Sequence, residues 1–111
     1  MSLLANLPSP HLTLSDEDLT EVCRRFHVQE LAVFGSVLRD DFQVDSDVDF
    51  LVTFQNNDVG PWMSNLTGLE ESLTQLLGRK ADVVDKPSVE QSENYIRRKH
   101  ILQSARVLYV A

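Results

Sequence analysis

Three aspartates in two short apolar segments are the residues of this sequence best placed to carry chemistry. Asp47 and Asp49 stand two residues apart in DVDFLVTF, and Asp82 stands further along the chain in ADVV. Like charges this close repel one another, and carboxylates rarely enter apolar segments without a partner that offsets the repulsion. Carboxylate oxygens suit hard cations such as Mg²⁺, which completes its shell with water and substrate phosphates. The three aspartates therefore predict a metal site that handles phosphate.

A Gly-Ser pair, Gly35-Ser36, adds a candidate phosphate cradle upstream of these aspartates. A backbone free of Cβ, a hydroxyl group and exposed N–H groups at the start of a helix can hold a phosphate. Two magnesium ions about 4 Å apart would then stabilise the attacking and leaving oxygens of an in-line displacement. In this interpretation Asp47 and Asp49 bind both ions. Asp82 binds the ion that activates an acceptor hydroxyl and could take its proton.

The combination of these features is more specific than its parts. Asp-x-Asp or Gly-Ser alone occurs by chance on many strands and loops. Here Gly-Ser is followed, after a ten-residue spacer, by Asp-x-Asp inside an apolar strand and then by a strand with its own aspartate. The alternative interpretation is a solvated acidic edge strand that binds no metal.

Helices and short strands alternate along the predicted chain and would position these residues. Apolar periodicity predicts helices over residues 16–27, 63–77 and 89–104, and a short helical turn is expected at residues 36–39. Short β-favouring segments predict strands over residues 30–34, 47–54, 81–84 and 105–110. This order predicts an α/β (α+β) fold with a short mixed β-sheet flanked by helices.

Side-chain alternation along 47–54 decides where the carboxylates point. The apolar residues Val48, Phe50, Val52 and Phe54 share one face, so both aspartates point to the other. The strand that carries Asp82 is expected to be a neighbour of this one. In the last predicted helix, Tyr95, Ile96 and Ile101 are expected to form the apolar side, and the adjacent basic residues Arg97, Arg98 and Lys99 could meet phosphates or form a solvated face.

Composition limits the classes of protein that this chain can represent. Its 111 residues predict one domain with a real core, spanning residues 15–111 after an N-terminal arm at residues 1–14. The net charge of −7 argues against a general nucleic-acid binder, which needs a basic face. The single cysteine, Cys23, excludes an internal disulfide and a zinc cluster and is expected in the core. No apolar run approaches the ~20 residues of a membrane span, and no signal peptide is evident, so a cytoplasmic location is expected.

The segment from Gly35-Ser36 to Asp47-Val48-Asp49, with Arg39 and Ser46 in between, resembles the signature of the DNA polymerase beta-type nucleotidyltransferase superfamily. The small size and the segments GSVLRDDFQVDSDVDFLV and NYIRRKHILQSARVLYV resemble its minimal nucleotidyltransferase (MNT) branch over about residues 15–110. The resemblance implies the fold described above. It also implies nucleotidyl transfer from a nucleoside triphosphate, ATP, with two Mg²⁺ ions.

Site roles follow from the resemblance residue by residue. Gly35 and Ser36 would hold the triphosphate. The metal ligands, and with them the catalytic residues, would be Asp47, Asp49 and Asp82. Arg39 is assigned to nucleotide binding, although pairing with the neighbouring aspartates at positions 40, 41 and 45 is the alternative.

The resemblance also implies a partner protein. Larger members of the superfamily add a second domain that grips the base or the acceptor, and no such domain is expected within the 111 residues of this chain. MNT proteins are typically encoded beside a HEPN-domain toxin, an all-helical RNase-like protein. They act as its antitoxin in a type VII toxin–antitoxin pair and can transfer AMP from ATP to a toxin tyrosine. Two alternatives stay open: a catalytically silent antitoxin that occludes the RNase, and an adenylyltransferase of a small molecule such as an aminoglycoside.

Overall fold

A four-stranded mixed sheet flanked by helices forms the fold. The computed structural model describes residues 14–35, 47–55 and 62–111. Along the chain the elements are α1 (Asp16–Arg25), β1 (Val28–Phe34), β2 (Val48–Phe54), α2 (Trp62–Leu77), β3 (Ala81–Asp85), α3 (Lys86–Glu90), α4 (Tyr95–Ser104) and β4 (Arg106–Val110). The strand order is β3-β2-β1-β4. β1 pairs antiparallel with β2 and β4, and β2 pairs parallel with β3. The predicted fold class is confirmed.

Two predicted segments lie outside the described residues. They are the N-terminal arm, of which only Leu14 is described, and the helical turn at 36–39. Among the helices that the structure describes, none combines the length and the apolar character needed to cross a membrane.

The sheet buries a different apolar cluster on each of its two faces. The larger cluster lies under α1 and α2 and includes Val48, Phe50 and Val52 of β2. The smaller cluster lies under α3 and α4 and includes Leu51 of β2. The predicted alternation along β2 is therefore confirmed. It places Asp49 on the face that α3 and α4 cover, because residues two apart on a strand share a face.

The first helix begins where its sequence predicts and ends two residues early. The Ser15 side chain accepts a hydrogen bond from the Asp18 N–H at 3.1 Å, and three acidic residues fill the first turn. The helix stops at Arg25 because His27 adopts a left-handed backbone with φ 58°. This conformation turns the chain directly into β1.

The predicted helix over 89–104 is wrong, because two helices replace it. The side chain of Asp85 caps α3 by accepting from the Ser88 N–H at 3.2 Å, which starts that helix at Lys86. The side chain of Asn94 caps α4 by accepting from the Arg97 N–H at 3.1 Å. The two caps compete with a continuous helix by satisfying the N–H groups that each new helix leaves unpaired.

The break between α3 and α4 also changes which residues are buried. Ile101 is buried as predicted, but Tyr95 is 59% exposed and Ile96 is 80% exposed. The prediction that both residues lie on the apolar side of the helix is therefore wrong. The first turn of α4 instead presents an apolar pair to the outside.

Cys23 is expected to resist thiol reagents in the folded protein. Its side chain is fully buried in α1, and burial raises the pKa of the thiol to about 12. The neutral thiol is therefore favoured, and its contribution to stability is present below the ordinary thiol pKa and lost only as the pH rises towards 12. At about pH 8, labelling with Ellman's reagent should be at least about 100-fold slower than in denaturant. Equal rates would contradict the buried position.

Candidate active site

Two of the three predicted carboxylates lie side by side on neighbouring strands. In the parallel pairing of β2 with β3, Asp49 is in register with Asp82. Paired positions on adjacent strands point to the same face and lie about 4.8 Å apart in the hydrogen-bonding direction. Asp47 lies just before β2 and is exposed. The prediction that the strand of Asp82 neighbours the Asp-x-Asp strand is confirmed.

Gly35 lies directly against the Asp49 carboxylate. It follows β1, where Phe34 is in antiparallel register with Asp49, and it has a left-handed φ of 79°. A Cβ built on Gly35 would lie 2.5 Å from Asp49 Oδ2, a distance that Cβ atoms do not adopt. Only glycine therefore lets the backbone pass this close to the carboxylate. Ser36 and Arg39, the other predicted nucleotide-binding residues, lie outside the described residues.

The carboxylates repel one another as the sequence predicts. The pKa of Asp49 is raised, first because burial disfavours its charged form and then because Asp82 and Asp47 add negative charge. Arg97, from the first turn of α4, opposes this rise. The site thus holds an excess of negative charge that a cation would offset.

The donor set fits Mg²⁺ bound together with a substrate. Within residues 14–35, 47–55 and 62–111, no group of three or more His, Cys, Asp or Glu side chains could by itself hold a metal ion. Mg²⁺ commonly takes one or two protein carboxylates and fills its other positions with water and substrate phosphates. Asp49 and Asp82 in register, with Asp47 close by, supply that kind of partial shell.

Side chains of α2 hold the strand of Asp82 in place. Lys80, which precedes the strand, lies with its Nζ 3.8 Å from Asp82 Oδ1, and the two side chains are 66% and 41% exposed, so this ion pair is worth only about 0–1 kcal/mol. On the outer edge of β3, Thr74 Oγ1 accepts from the Ala81 N–H and Glu70 Oε2 accepts from the Val83 N–H, both at 3.0 Å. β3 is therefore hydrogen-bonded to β2 on one edge and to α2 on the other, which fixes the position of Asp82.

Sequence reasoning missed Arg97 as a residue of this site. The basic run in α4 was interpreted as a solvated face, with phosphate contact as the alternative. Arg97 is exposed, but its charge acts on Asp49. The available signal was its spacing of four residues from Ile101, which places both on one face of a helix.

Comparison with known proteins shows the class to which this fold and site belong. Residues 16–108 match the family model described as a nucleotidyltransferase domain. The chain is 42% identical over 78 residues to the protein adenylyltransferase MntA of Thermococcus cleftensis, which covers 70% of this chain and 73% of that protein.

Solved structures agree with the family match. A minimal nucleotidyltransferase superposes with a TM-score of 0.61 and 29% identity, over 81% of this chain and 85% of that one. A toxin–antitoxin complex with AMP-PNP superposes with a TM-score of 0.62 and 17% identity, over 88% of this chain and 75% of that one. At that identity the second likeness shows the fold alone.

The chain belongs to the nucleotidyltransferase domain family, and its fold is that of the minimal nucleotidyltransferases. It is accordingly a nucleotidyltransferase enzyme, as the resemblance to that superfamily implied. The individual roles of Gly35, Asp47, Asp49 and Asp82 stay predictions.

Proposed function

We propose that this chain transfers AMP from ATP to a hydroxyl group of a partner toxin and thereby acts as its antitoxin. The observation that carries the proposal is the site itself, in which Asp49 and Asp82 are in register and the Gly35 backbone lies against Asp49. The similarity to a protein adenylyltransferase supports a protein acceptor. The AMP-PNP bound by the toxin–antitoxin complex of the same fold supports an adenine nucleotide as donor.

In the proposed reaction the chain holds the nucleotide and removes a proton. The backbone at Gly35, with Ser36, would hold the triphosphate. Asp47, Asp49 and Asp82 would hold Mg²⁺, which when bound would offset the negative charge of these carboxylates and of the phosphates. Asp82 accepts the proton of the acceptor hydroxyl, whose oxygen forms a bond to the α-phosphorus. The bond from that phosphorus to the bridging oxygen breaks, and pyrophosphate leaves.

The proposed partner is a HEPN-domain toxin, and the proposed acceptor is one of its tyrosines. Both details come from the resemblance to MNT proteins. The acidic balance of this chain, a net charge of −7, suits a partner with a basic RNA-binding face.

Labelled ATP tests the proposed transfer directly. The tagged chain, with the partner protein that co-purifies with it, is incubated with α-labelled ATP and Mg²⁺, and label on the partner is quantified. We expect label with the wild-type chain and about 100-fold less with Asp82→Asn, which loses the proton acceptor. Glu71→Gln removes one exposed acidic charge from α2 and serves as the control, with transfer unchanged.

The other possible results separate the alternative functions. A stable complex without label from any of the four nucleoside triphosphates would support an antitoxin that only occludes the toxin. Transfer of label to an aminoglycoside by the isolated chain would support a small-molecule adenylyltransferase. Equal labelling by wild type and Asp82→Asn would remove Asp82 from the proposed chemistry.

A further inference from the structure

A pocket of about 170 Å³ lies where β3 meets α3 and α4. We refer to it as the α3–α4 pocket; its apolar wall is Val84, Val89 and Ile101, and its polar side includes Ser92, Arg97 and Arg98. Val84 follows Asp82 by two residues on the same face of β3, about 6.6 Å further along the strand. A group bound against Val84 therefore has Asp82 as its neighbour on the strand.

The volume of the pocket matches one aromatic ring. A protein cavity of about 150 Å³ holds benzene, whereas sites for whole small molecules usually occupy about 300–1,000 Å³. A pocket of about 170 Å³ is too small for a nucleotide and large enough for one aromatic side chain. Its mixed lining also fits a ring that carries one polar group.

The two arginines of the pocket have different roles. Arg98 Nη1 donates to the Ser92 carbonyl at 3.1 Å, and its guanidinium lies 5.4 Å from the centre of the Tyr95 ring. Arg98 therefore holds the loop between α3 and α4. Arg97 shares a helix face with the buried Ile101, four residues later, and is exposed at the mouth of the pocket. Arg97 is thus the cation that a group entering the pocket would meet.

The surroundings of the pocket favour an acceptor that belongs to a protein. Tyr95 and Ile96, which directly precede Arg97, are 59% and 80% exposed. Covering this pair with a protein partner would add to binding, because apolar surface that is removed from water is stabilising. A small-molecule acceptor would use the pocket and leave this apolar pair uncovered.

We propose that the α3–α4 pocket receives the acceptor as an aromatic hydroxyl side chain, a tyrosine of the partner protein, with Arg97 at its mouth. The inference rests on the proposed transfer of AMP and adds the place in this chain where the acceptor binds. The phenol proton passes to Asp82 and the phenol oxygen forms its bond to the α-phosphorus. The bond from that phosphorus to the bridging oxygen breaks, and pyrophosphate leaves with the electron pair. Arg97 stabilises the phenolate, because a nearby cation favours the charged form.

Binding of p-cresol, the side-chain analogue of tyrosine, tests the pocket without any transfer. In amide NMR spectra of the full chain we expect shifts at Val84, Val89 and Arg97, with a dissociation constant on the order of millimolar. Val84→Phe fills the pocket with a β-favouring residue and should abolish these shifts. Val110→Phe makes the same change in β4, at the other edge of the sheet, and should keep them. Shifts confined to other residues, or none at all, would overturn the assignment.

Transfer to the partner gives the second readout. Val84→Phe should lower transfer by about 10- to 100-fold with the affinity for ATP unchanged. Arg97→Gln, at an exposed position, should lower transfer by about 10-fold, since the phenol loses its cation. Arg24→Gln, on an exposed arginine of α1 outside the pocket lining, is the matched control and should leave transfer unchanged.

The two possible failures can be told apart. If the wild-type chain transfers AMP and Val84→Phe transfers equally well, only the pocket assignment is overturned. If p-cresol binds in the pocket but the wild-type chain transfers no AMP to any partner, the proposed function fails and the acceptor role fails with it.

Discussion

Asp49→Asn should abolish AMP transfer and leave a folded protein that is, without metal, at least as stable as the wild type at neutral pH. Asp49 is the central carboxylate of the site. It is in register with both Phe34 and Asp82, and the Gly35 backbone lies against it. The amide keeps the shape of the side chain and removes the charge that a cation needs. We expect transfer to fall by about 10³-fold or more, because both charge neutralisation and nucleotide positioning are lost.

The stability part of this prediction follows from the direction of the Asp49 pKa. Burial and the charges of Asp82 and Asp47 raise the pKa of Asp49 above its ordinary value of 3.8. The contribution of this group to stability is therefore fully present below pH 3.8 and is lost as the pH rises through the raised pKa. At neutral pH the ionised carboxylate opposes folding, and asparagine removes that cost.

Thermal unfolding in EDTA across this pH range measures the effect. The difference in melting temperature between Asp49→Asn and the wild type should be largest at neutral pH. It should shrink as the pH falls towards 3.8, the ordinary pKa of aspartate. Glu71→Gln removes a charge from the exposed surface of α2 and should show no such trend. A variant that melts well below the wild type at neutral pH would mean that the carboxylate supports the fold.

Bound Mg²⁺ should reverse this difference in stability, because it offsets the charge of the Asp49 carboxylate in the folded wild type. A ligand that binds only the folded state at about 100 times its dissociation constant adds about 2.7 kcal/mol of stability. Mg²⁺ with a non-hydrolysable nucleotide should therefore raise the melting temperature of the wild type by several degrees and that of Asp49→Asn by much less. If Mg²⁺ with the nucleotide stabilised both proteins equally, the cation would bind without Asp49.

The sequence predicted the parts of this site that depend on local pattern. Strict alternation in β2 decided that Asp49 points away from Val48 and Phe50, and the structure agrees. The register of Asp49 with Asp82 could not be predicted, because neither strand specifies its offset from the other. It is fixed by contacts distant in sequence, among them the bonds from α2 to the edge of β3.

The C-terminal part of the chain was harder to predict. Two N-cap side chains divide residues 86–104 into two helices, although the apolar pattern predicts one. Asp85 and Asn94 each start a helix, and the break between the helices turns Tyr95 and Ile96 outwards. The same break sets the rotation of α4, so that Ile101 enters the core and Arg97 faces the carboxylates. Once the helix was predicted as one piece, the α3–α4 pocket could not be inferred, and the only signal for Arg97 was its spacing of four residues from Ile101.

Among the glycines at positions 35, 68 and 78, Gly35→Ala should lower both stability and AMP transfer the most. Two independent costs meet at this position: a left-handed φ of 79°, and a new Cβ that would lie 2.5 Å from Asp49 Oδ2. The backbone strain alone costs about 1–3 kcal/mol. Because the carboxylate must move to relieve the contact, transfer by the folded protein should also fall by about 100-fold.

Two other glycines of the chain separate these costs. Gly78 has a φ of 69° with nothing within 4 Å of its Cβ position, so Gly78→Ala reports backbone strain alone. Gly68→Ala would place a Cβ 2.5 Å from Phe26 Cε1, a close contact between α2 and the end of α1 on the face of the sheet opposite Asp49. Both control variants should lose stability in chemical denaturation and keep the specific activity of their folded fraction. If Gly35→Ala behaved like them, Gly35 would serve only the turn after β1; a loss of transfer confined to Gly35→Ala would show that the backbone must approach Asp49 for the reaction to proceed.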